Sequence, residues 1–358
     1  MKIFHIAYFG TKGIVTGLVE SVMNLVKHQI ELGNDVKIFI PFKHPLADDQ
    51  TVIFIKSFTF MAKILKNEHP DIVIFDGMYD KYQIRVSYFL KILKIPYVIV
   101  FHGGASEDNA KKHWLKKKVA NLFFFIRFVH WAQKVVYLSE DEKCKSIFKK
   151  ANSNDCIIPN GVNIPHRIEM KPSIGRLRIL YLSRLDWYGK GLDVLCDAMK
   201  LLYDAGYHSK VEFIFCGKKE SEKCEQLFQF DDMSIYKGYV AGEEKEKAFR
   251  DCDIFILPSR SEGMPIAVLE ALSYGKPCIV TPETNMATLI KDNRCGWVIR
   301  LSPKDIFGVI INVLNTYNSN REVLYSQCLK AAKMFDWREV AKKSIIEYKK
   351  VINSNGKG

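Results

Sequence analysis

Two acids and two cations are the residues best placed to do chemistry in this sequence. Glu262 and Glu270 fall eight positions apart in SRSEGMPIAVLEALSYGKPCIVT, residues 259–281, with Gly263-Met264-Pro265 between them. Carboxylates accept hydrogen bonds from hydroxyls, so the pair suits two parts of one polar ligand. Eight residues is a little over two helical turns, which predicts both acids on one helix face. Arg184 and Lys190 lie in SRLDWYGKGLDVL, residues 183–195, where a strand pattern turns into a helix pattern among glycines. A planar guanidinium fork, a compact ammonium and free helix N–H groups together suit a diphosphate. Taken singly, each of the four residues also reads as an ordinary surface charge, and Glu262 as a carboxylate favouring the start of a helix.

The elements that must position these groups alternate along the chain. The apolar run DIFILP, residues 253–258, leads into the Glu262 loop, helical pattern continues to Tyr274, and a second apolar run follows at 277–280. Such a unit puts its loop at the carboxyl end of a parallel strand, where open sheets bind ligands. In the first half, short runs rich in Val and Ile at 2–8, 35–41, 71–75, 97–101 and 134–138 are separated by helical pattern, including an amphipathic stretch at 18–32 stopped by Gly33. The alternation pauses over the polar segment 162–175 and restarts at 177–182, 211–217 and 234–239. Continuously apolar strands separated by helices predict parallel sheets covered on both faces. The expected fold is therefore α/β, with two Rossmann-like, doubly wound domains at 1–165 and 176–335 facing an interdomain cleft. A last helix, within 336–358, is expected to pack back on the first domain.

Composition narrows the class. A chain of 358 residues fits two domains of ordinary size. No apolar run reaches the ~20 residues that span a bilayer, and MKIFHIAYFG enters a strand pattern directly, so a cytoplasmic protein is expected. Nine cysteines without a C-x-x-C pair make neither a disulfide framework nor a zinc knuckle, and Cys216, Cys252 and Cys278 read as core thiols. The net charge of +13 asks for an anionic partner. No G-x-G-x-x-G fingerprint or G-x-x-x-x-G-K-[ST] loop follows a first strand, which argues against hydride transfer and P-loop chemistry.

These segments together carry a resemblance. SRLDWYGKGLDVL, KGYV at 237–240 and PSRSEGMPIAVLEALSYGKPCIVT resemble the nucleotide-sugar half of glycosyltransferase family 4, which are retaining enzymes of the GT-B fold. Ile158-Pro159-Asn160-Gly161-Val162 is similar to that family's segment before the linker, and Phe101-His102-Gly103 to its histidine-glycine at a strand end. The resemblance implies a sugar moved from a nucleoside-diphosphate donor, UDP- or GDP-linked, to a glycan or lipid-linked acceptor in bacterial surface polysaccharide synthesis, with no metal and no further cofactor. It implies that Arg184 and Lys190 hold the diphosphate and stabilise the leaving group. Glu262 would meet the sugar hydroxyls, with Gly263, Met264 and Pro265 shaping the loop. Glu270 would meet the ribose, backbone near Tyr239 and Val240 the base, and His102 the sugar. Gly17 would allow backbone close to a phosphate or to the acceptor. The implied mechanism is a same-face displacement in which a donor phosphate oxygen takes the acceptor proton, with no covalent nucleophile.

The sequence departs from the family pattern at Thr16-Gly17, where a glycine pair is usual, and at Thr288, where a glutamate is common. Other classes stay open. Asp251 and Asp253 form the Asp-x-Asp of metal-dependent transferases, but at a helix-to-strand junction where aspartates commonly cap or turn. A non-catalytic protein of the same fold, binding sugar or partnering another transferase, is the main alternative. Residues 109–134 hold six basic side chains before Lys134, and that lysine itself, among Trp and Phe residues with no acid. This composition suits the anionic cytoplasmic face of a membrane as readily as a core helix with solvated lysines. No motif for nucleic acid accompanies the charge.

Overall fold

Most strands form where Val, Ile and Phe predominate, and most are followed by a helix that packs on the sheet. The structure, a computed structural model, describes residues 1–9, 16–41, 50–105, 124–165, 175–230 and 232–355. It divides into two units, Met1–Gly161 with Trp337–Gly358, and Val162–Asp336.

In the first unit the strands are β1 Lys2–Ala7, β2 Asp35–Ile40, β3 Val52–Phe54, β4 Ile72–Asp76, β5 Tyr97–Val100, β6 Lys134–Tyr137 and β7 Asp155–Ile157. They pair in parallel in the order β3-β2-β1-β4-β5-β6-β7, so the chain reverses direction across the sheet between β1 and β4. The described helices here are α1 Gly17–Glu31, α2 Phe58–Glu68, α3 Lys81–Leu93, α4 Ile126–Trp131 and α5 Glu140–Cys144. Side chains of Thr16, Ser57, Asp80 and Ser139 accept from backbone N–H groups to start α1, α2, α3 and α5. Sequence reading omits β3 and β7 because VIF and DCI are three-residue edge strands, too short for a periodic signal.

The second unit repeats the plan with β8 Leu177–Leu182, β9 Val211–Cys216, β10 Ser234–Gly238, β11 Ile254–Leu257, β12 Cys278–Val280 and β13 Gly296–Val298, ordered β10-β9-β8-β11-β12-β13 and again all parallel. Its helices are α6 Leu192–Asp204, α7 Gly242–Asp251, α8 Ile266–Ser273, α9 Ala287–Asp292 and α10 Pro303–Lys333. Helical pattern is evident in the sequence only over the second half of α10, because the polar run around TYNSN interrupts its apolar face; Ser302 caps it and Pro303 begins it.

The last helix, α11 Trp337–Asn355, belongs to the first unit. It lies against α1, where Gln29 Nε2 donates to Ser344 Oγ at 3.0 Å, and Lys134 of β6 pairs with its Glu347 at 2.6 Å. No helix among the described residues is long and apolar enough to cross a membrane. The basic aromatic stretch 109–134 lies outside the described residues up to 123. Its described end buries Phe125 and Phe128 in the core and exposes Phe124 and Ile126.

Candidate functional site

The carboxyl ends of β8 and β11 flank the reversal point of the second sheet, and the two loops that leave them converge. After β8 the chain turns through Trp187–Lys190 into α6, with Gly191 as the preceding cap in the left-handed region at φ 69°. After β11 it runs from Pro258 to Pro265 before α8 begins. Arg260 N donates to Gly189 O at 3.0 Å, tying one loop to the other. The Arg260 guanidinium makes a two-bond contact to Asp193 in the first turn of α6, at 2.7 and 2.8 Å, and lies 3.9 Å from the centre of the Tyr188 ring.

Within this frame Lys190 Nζ stands 2.5 Å from Glu262 Oε1, both side chains little more than a tenth exposed. Ser259 Oγ donates to the same carboxylate oxygen at 2.7 Å, and Thr281 Oγ1 fixes Ser259 through its carbonyl at 2.6 Å. Asn285 donates to the carbonyls of Glu262 and Gly263 at 2.7 and 3.0 Å, so the loop is held by its backbone and its acid is oriented by its neighbours. Met264 is buried, and Pro265 caps α8 without a side-chain hydrogen bond, leaving that helix end its own N–H groups.

The one-face helical placement of Glu262 and Glu270 is corrected here. Helix α8 starts only at Ile266, because Pro265 is itself extended at ψ 119° and turns the preceding Met264 away from the helical region, and Glu262 belongs to the loop. Glu270, on α8, pairs with Lys245 of α7 at 2.6 Å. Arg184 is half exposed and pairs with Glu220 at 2.6 Å, while its carbonyl accepts from the buried Tyr181 hydroxyl at 2.8 Å. Burial pushes the Tyr181 hydroxyl well above its ordinary range, so it remains a donor. Tyr239 follows β10 and is exposed; Val240 is half-buried beside it. The partners Ser259, Lys245 and Asn285 are missed by sequence reasoning, since nothing in their local pattern marks them.

Asp251 and Asp253 are engaged structurally. The Asp253 carboxylate accepts from Arg178 N at 2.9 Å, and Arg178 donates to the carbonyl of Asp251 at 3.0 Å. Buried Lys276 fills the space between, donating to the carbonyls of Arg250 and Cys252 at 3.1 and 2.6 Å. No cluster of three metal-ligating side chains occurs among the described residues. Cys216, Cys252 and Cys278 are buried free thiols, and desolvation pushes their pKa up, to about 11 for Cys216 and about 12 for Cys252, which keeps them protonated. They behave as small core residues.

In the first unit, His102 follows β5 in a left-handed backbone conformation at φ 48°. Its Nε2 is 3.0 Å from Asp76 Oδ1, and Asp76 ends the adjacent strand β4. The next residue is held by Glu142, whose two oxygens accept from Gly103 N and Leu138 N, each at 2.5 Å. Gly17 starts α1, and a Cβ added there would meet nothing within 4 Å among the described residues. Burial pushes the Glu142 carboxyl above its ordinary 4.5, against the backbone bonds from Leu138 and Gly103 and the nearby His102 that lower it. Its folded value exceeds its unfolded one, so its linkage contribution is complete below about pH 4.5 and is lost as pH rises through the folded value. Glu142→Ala strands two buried N–H groups and should cost about 2–4 kcal/mol. Urea unfolding at several pH values should show both that loss and the disappearance of this part of the pH slope.

Comparison with known proteins adds to this geometry. A family model described as Glycosyl transferases group 1 matches residues 176–316, and one described as Glycosyltransferase Family 4 matches residues 15–165. The chain is 24% identical over 327 residues to the N,N'-diacetylbacillosaminyl-diphospho-undecaprenol alpha-1,3-N-acetylgalactosaminyltransferase of Campylobacter jejuni, covering 84% of this chain and 83% of that one. It is 26% identical to the UDP-Gal:alpha-D-GlcNAc-diphosphoundecaprenol alpha-1,3-galactosyltransferase of Escherichia coli, covering 70% and 68%. Among solved structures, a glycosyltransferase from Rickettsia africae superposes with a TM-score of 0.78 at 18% identity over 98% of both chains. With one family model over each parallel-sheet unit, and both describing the same class of enzyme, this chain belongs to glycosyltransferase family 4 and has the GT-B fold.

Proposed function

We propose that the chain is a retaining glycosyltransferase that moves a sugar from a nucleoside-diphosphate donor to a hydroxyl of a glycan or lipid-linked acceptor, in the synthesis of a bacterial surface polysaccharide. The observation that carries the reading is the Lys190–Glu262 pair at the reversal point of the second sheet, beside the amino end of α6. A cation and an acid already in contact can separate their tasks when a donor arrives, the ammonium taking a diphosphate oxygen and the carboxylate a sugar hydroxyl. The names of these two relatives support a diphosphate-linked lipid acceptor, and one of them a UDP-sugar donor.

In this reading Arg184 joins Lys190 at the diphosphate, exchanging Glu220 for phosphate, and the two cations stabilise the charge that grows on the leaving group. Gly263, Met264 and the amino end of α8 present N–H groups beside them, and Pro265, which has no N–H, shapes the turn into that helix. Glu270 accepts from the ribose, the backbone at Tyr239 and Val240 meets the base, and Gly17 serves the acceptor side. His102 contacts the transferred sugar. A donor phosphate oxygen takes the acceptor proton as the new bond forms on the face the nucleotide leaves. Residues 109–134 are assigned to peripheral contact with an anionic bilayer, a reading supported by the exposed Phe124 and Ile126 at their described end.

Thermal unfolding with a panel of UDP-, GDP- and ADP-sugars tests the donor class, because a ligand bound only by the folded state raises the midpoint by mass action. One base is expected to stand out, with the shift unaffected by EDTA. Product from that donor, formed with a lipid-linked acceptor extract, should keep the donor's anomeric configuration by NMR; inversion would end the retaining reading. Sedimentation with phosphatidylglycerol vesicles, against neutral phosphatidylcholine ones, tests the membrane contact.

A further inference from the structure

The first unit contains a buried chain of polar side chains that none of the roles above uses. It begins on α11, where the Ser344 hydroxyl donates to Ala341 O at 2.7 Å and so accepts, at 3.0 Å, from Gln29 Nε2. That fixes the Gln29 amide with Oε1 facing His5 Nε2 at 3.1 Å. His5, on β1, places Nδ1 2.8 Å from Asp76 Oδ2. The other oxygen, Oδ1, meets His102 Nε2 at 3.0 Å. Ser344, Gln29, His5 and Asp76 are all buried, His5 and Asp76 completely.

We propose that Asp76 is a positioning residue that holds His102 in its Nε2–H tautomer, so that Nδ1 is the ring nitrogen left to accept a hydrogen bond from a substrate hydroxyl. An ionised carboxylate can only accept, so each imidazole must turn an N–H towards it. Burial pushes the Asp76 carboxyl up, but the charge of His5 and the hydrogen bonds from His102 and His5 outweigh it and bring it below its ordinary value. A neutral imidazole with its proton on Nε2 carries a lone pair on Nδ1, and no hydrogen bond to His102 Nδ1 is made among the described residues. The second carboxylate oxygen is spent on His5, which Gln29 and Ser344 hold in turn, so Asp76 cannot rotate away. The backbone adds to the constraint, since His102 sits at φ 48° and Glu142 anchors the next amide. A non-glycine residue is strained in this region, and such strain persists only where the surroundings fix it. The titratable groups facing Asp76 and His102 are His5, Glu142 and, from α11, the buried Tyr348.

This assignment rests on the proposed glycosyl transfer only in naming the hydroxyl as a sugar's; the tautomer is a property of the chain alone. The full chain labelled with 15N-histidine is observed by NMR at neutral pH, with His102→Gln identifying the resonances. Nε2 is expected to carry a slowly exchanging proton and Nδ1 to show the shift of a bare nitrogen. In Asp76→Ala the proton on Nε2 should exchange at least about 10-fold faster, in line with a lost charge-assisted hydrogen bond. Asp76→Asn should restore slow exchange, because its carbonyl can accept from His102 while its amide donates to His5. A proton on Nδ1 in the unaltered chain overturns the proposal, even if Asp76→Ala fails to fold, and so does unchanged exchange in a folded Asp76→Ala. UDP-glucose, UDP-galactose and UDP-N-acetylglucosamine are then added in turn. A sugar nucleotide that raises the unfolding midpoint should also move the Nδ1 resonance, and one that raises the midpoint while leaving Nδ1 in place overturns the substrate half. If no sugar nucleotide raises the midpoint, it is the donor reading that fails, and the tautomer result stands.

Discussion

Lys190→Ala should lower glycosyl transfer by about 10²–10³-fold, the usual cost of removing one preorganised group that meets charge as it develops. Most of the loss should fall on turnover, because Arg184 and the α6 amino end still offer the donor part of its binding. Lys190 is 2.5 Å from Glu262 and little exposed, so its ammonium is already desolvated and aimed before any ligand arrives. In the variant Glu262 keeps Ser259 as a donor and its loop keeps Asn285, which limits the cost of leaving a little-exposed carboxylate without its cation, so the unfolding midpoint should fall by a few degrees while activity collapses. Steady-state rates with the donor chosen by the thermal panel check this. An equal fall in kcat and in kcat/KM marks an interaction made in the transition state, whereas a rise in KM alone would make Lys190 a binding residue only.

Gly191→Ala should be among the most damaging single methyls in the second unit, with Gly217 and Gly296, whose added Cβ would also overlap a backbone carbonyl. Gly191 lies at φ 69°, and an added Cβ would overlap the carbonyl oxygen of Pro258 and press on Leu301. Pro258 begins the Glu262 loop, so the glycine is where the Lys190 turn and that loop come into backbone contact. Left-handed strain and the clash together should cost about 3–5 kcal/mol, within the range of severe backbone substitutions. For a unit of the size of Val162–Asp336 that corresponds to a fall of about 10 °C in its midpoint. Donor stabilisation should weaken as well, because relief of the clash moves Lys190 from Glu262. Gly206→Ala is the control: φ is also positive there, at 77°, but nothing lies within 4 Å, so only the strain remains.

These two positions show how much of the molecule the sequence makes legible. Arg184, Lys190 and Glu262 stand out because each lies in a loop that leaves a strand end near glycines, and Glu270 because of its spacing from Glu262, so residue type and position carry information. Runs such as LRILYL and VEFIFC mark β8 and β9 for the same reason, since strands buried on both faces must be continuously apolar. What the sequence hides is pairing over long separations. The contacts of Lys190 with Glu262, of Glu270 with Lys245 and of His102 with Asp76 depend on strand order. Asp76 and His5 give no local signal at all: one ends IVIFD and the other interrupts KIFHIA, and in sequence each is merely a polar residue within an apolar run. Glu262 also shows the limit of periodicity, for eight positions mean one helix face only if the helix already exists.

The division of the chain has a consequence for its biosynthesis. The second unit is one uninterrupted segment, Val162–Asp336, whereas the first is made of Met1–Gly161 and the helix that follows the second unit. As the chain leaves the ribosome, residues 162–336 can reach their final form while the earlier unit still lacks α11. Until Ser344 emerges, the Gln29 amide has no acceptor on that helix, and the buried series ending at His102 is incomplete at its far end. The unit synthesised earlier is therefore the one finished later, and a messenger cut short before α11 would yield a chain with Lys190 beside Glu262 and the support of His102 unmade.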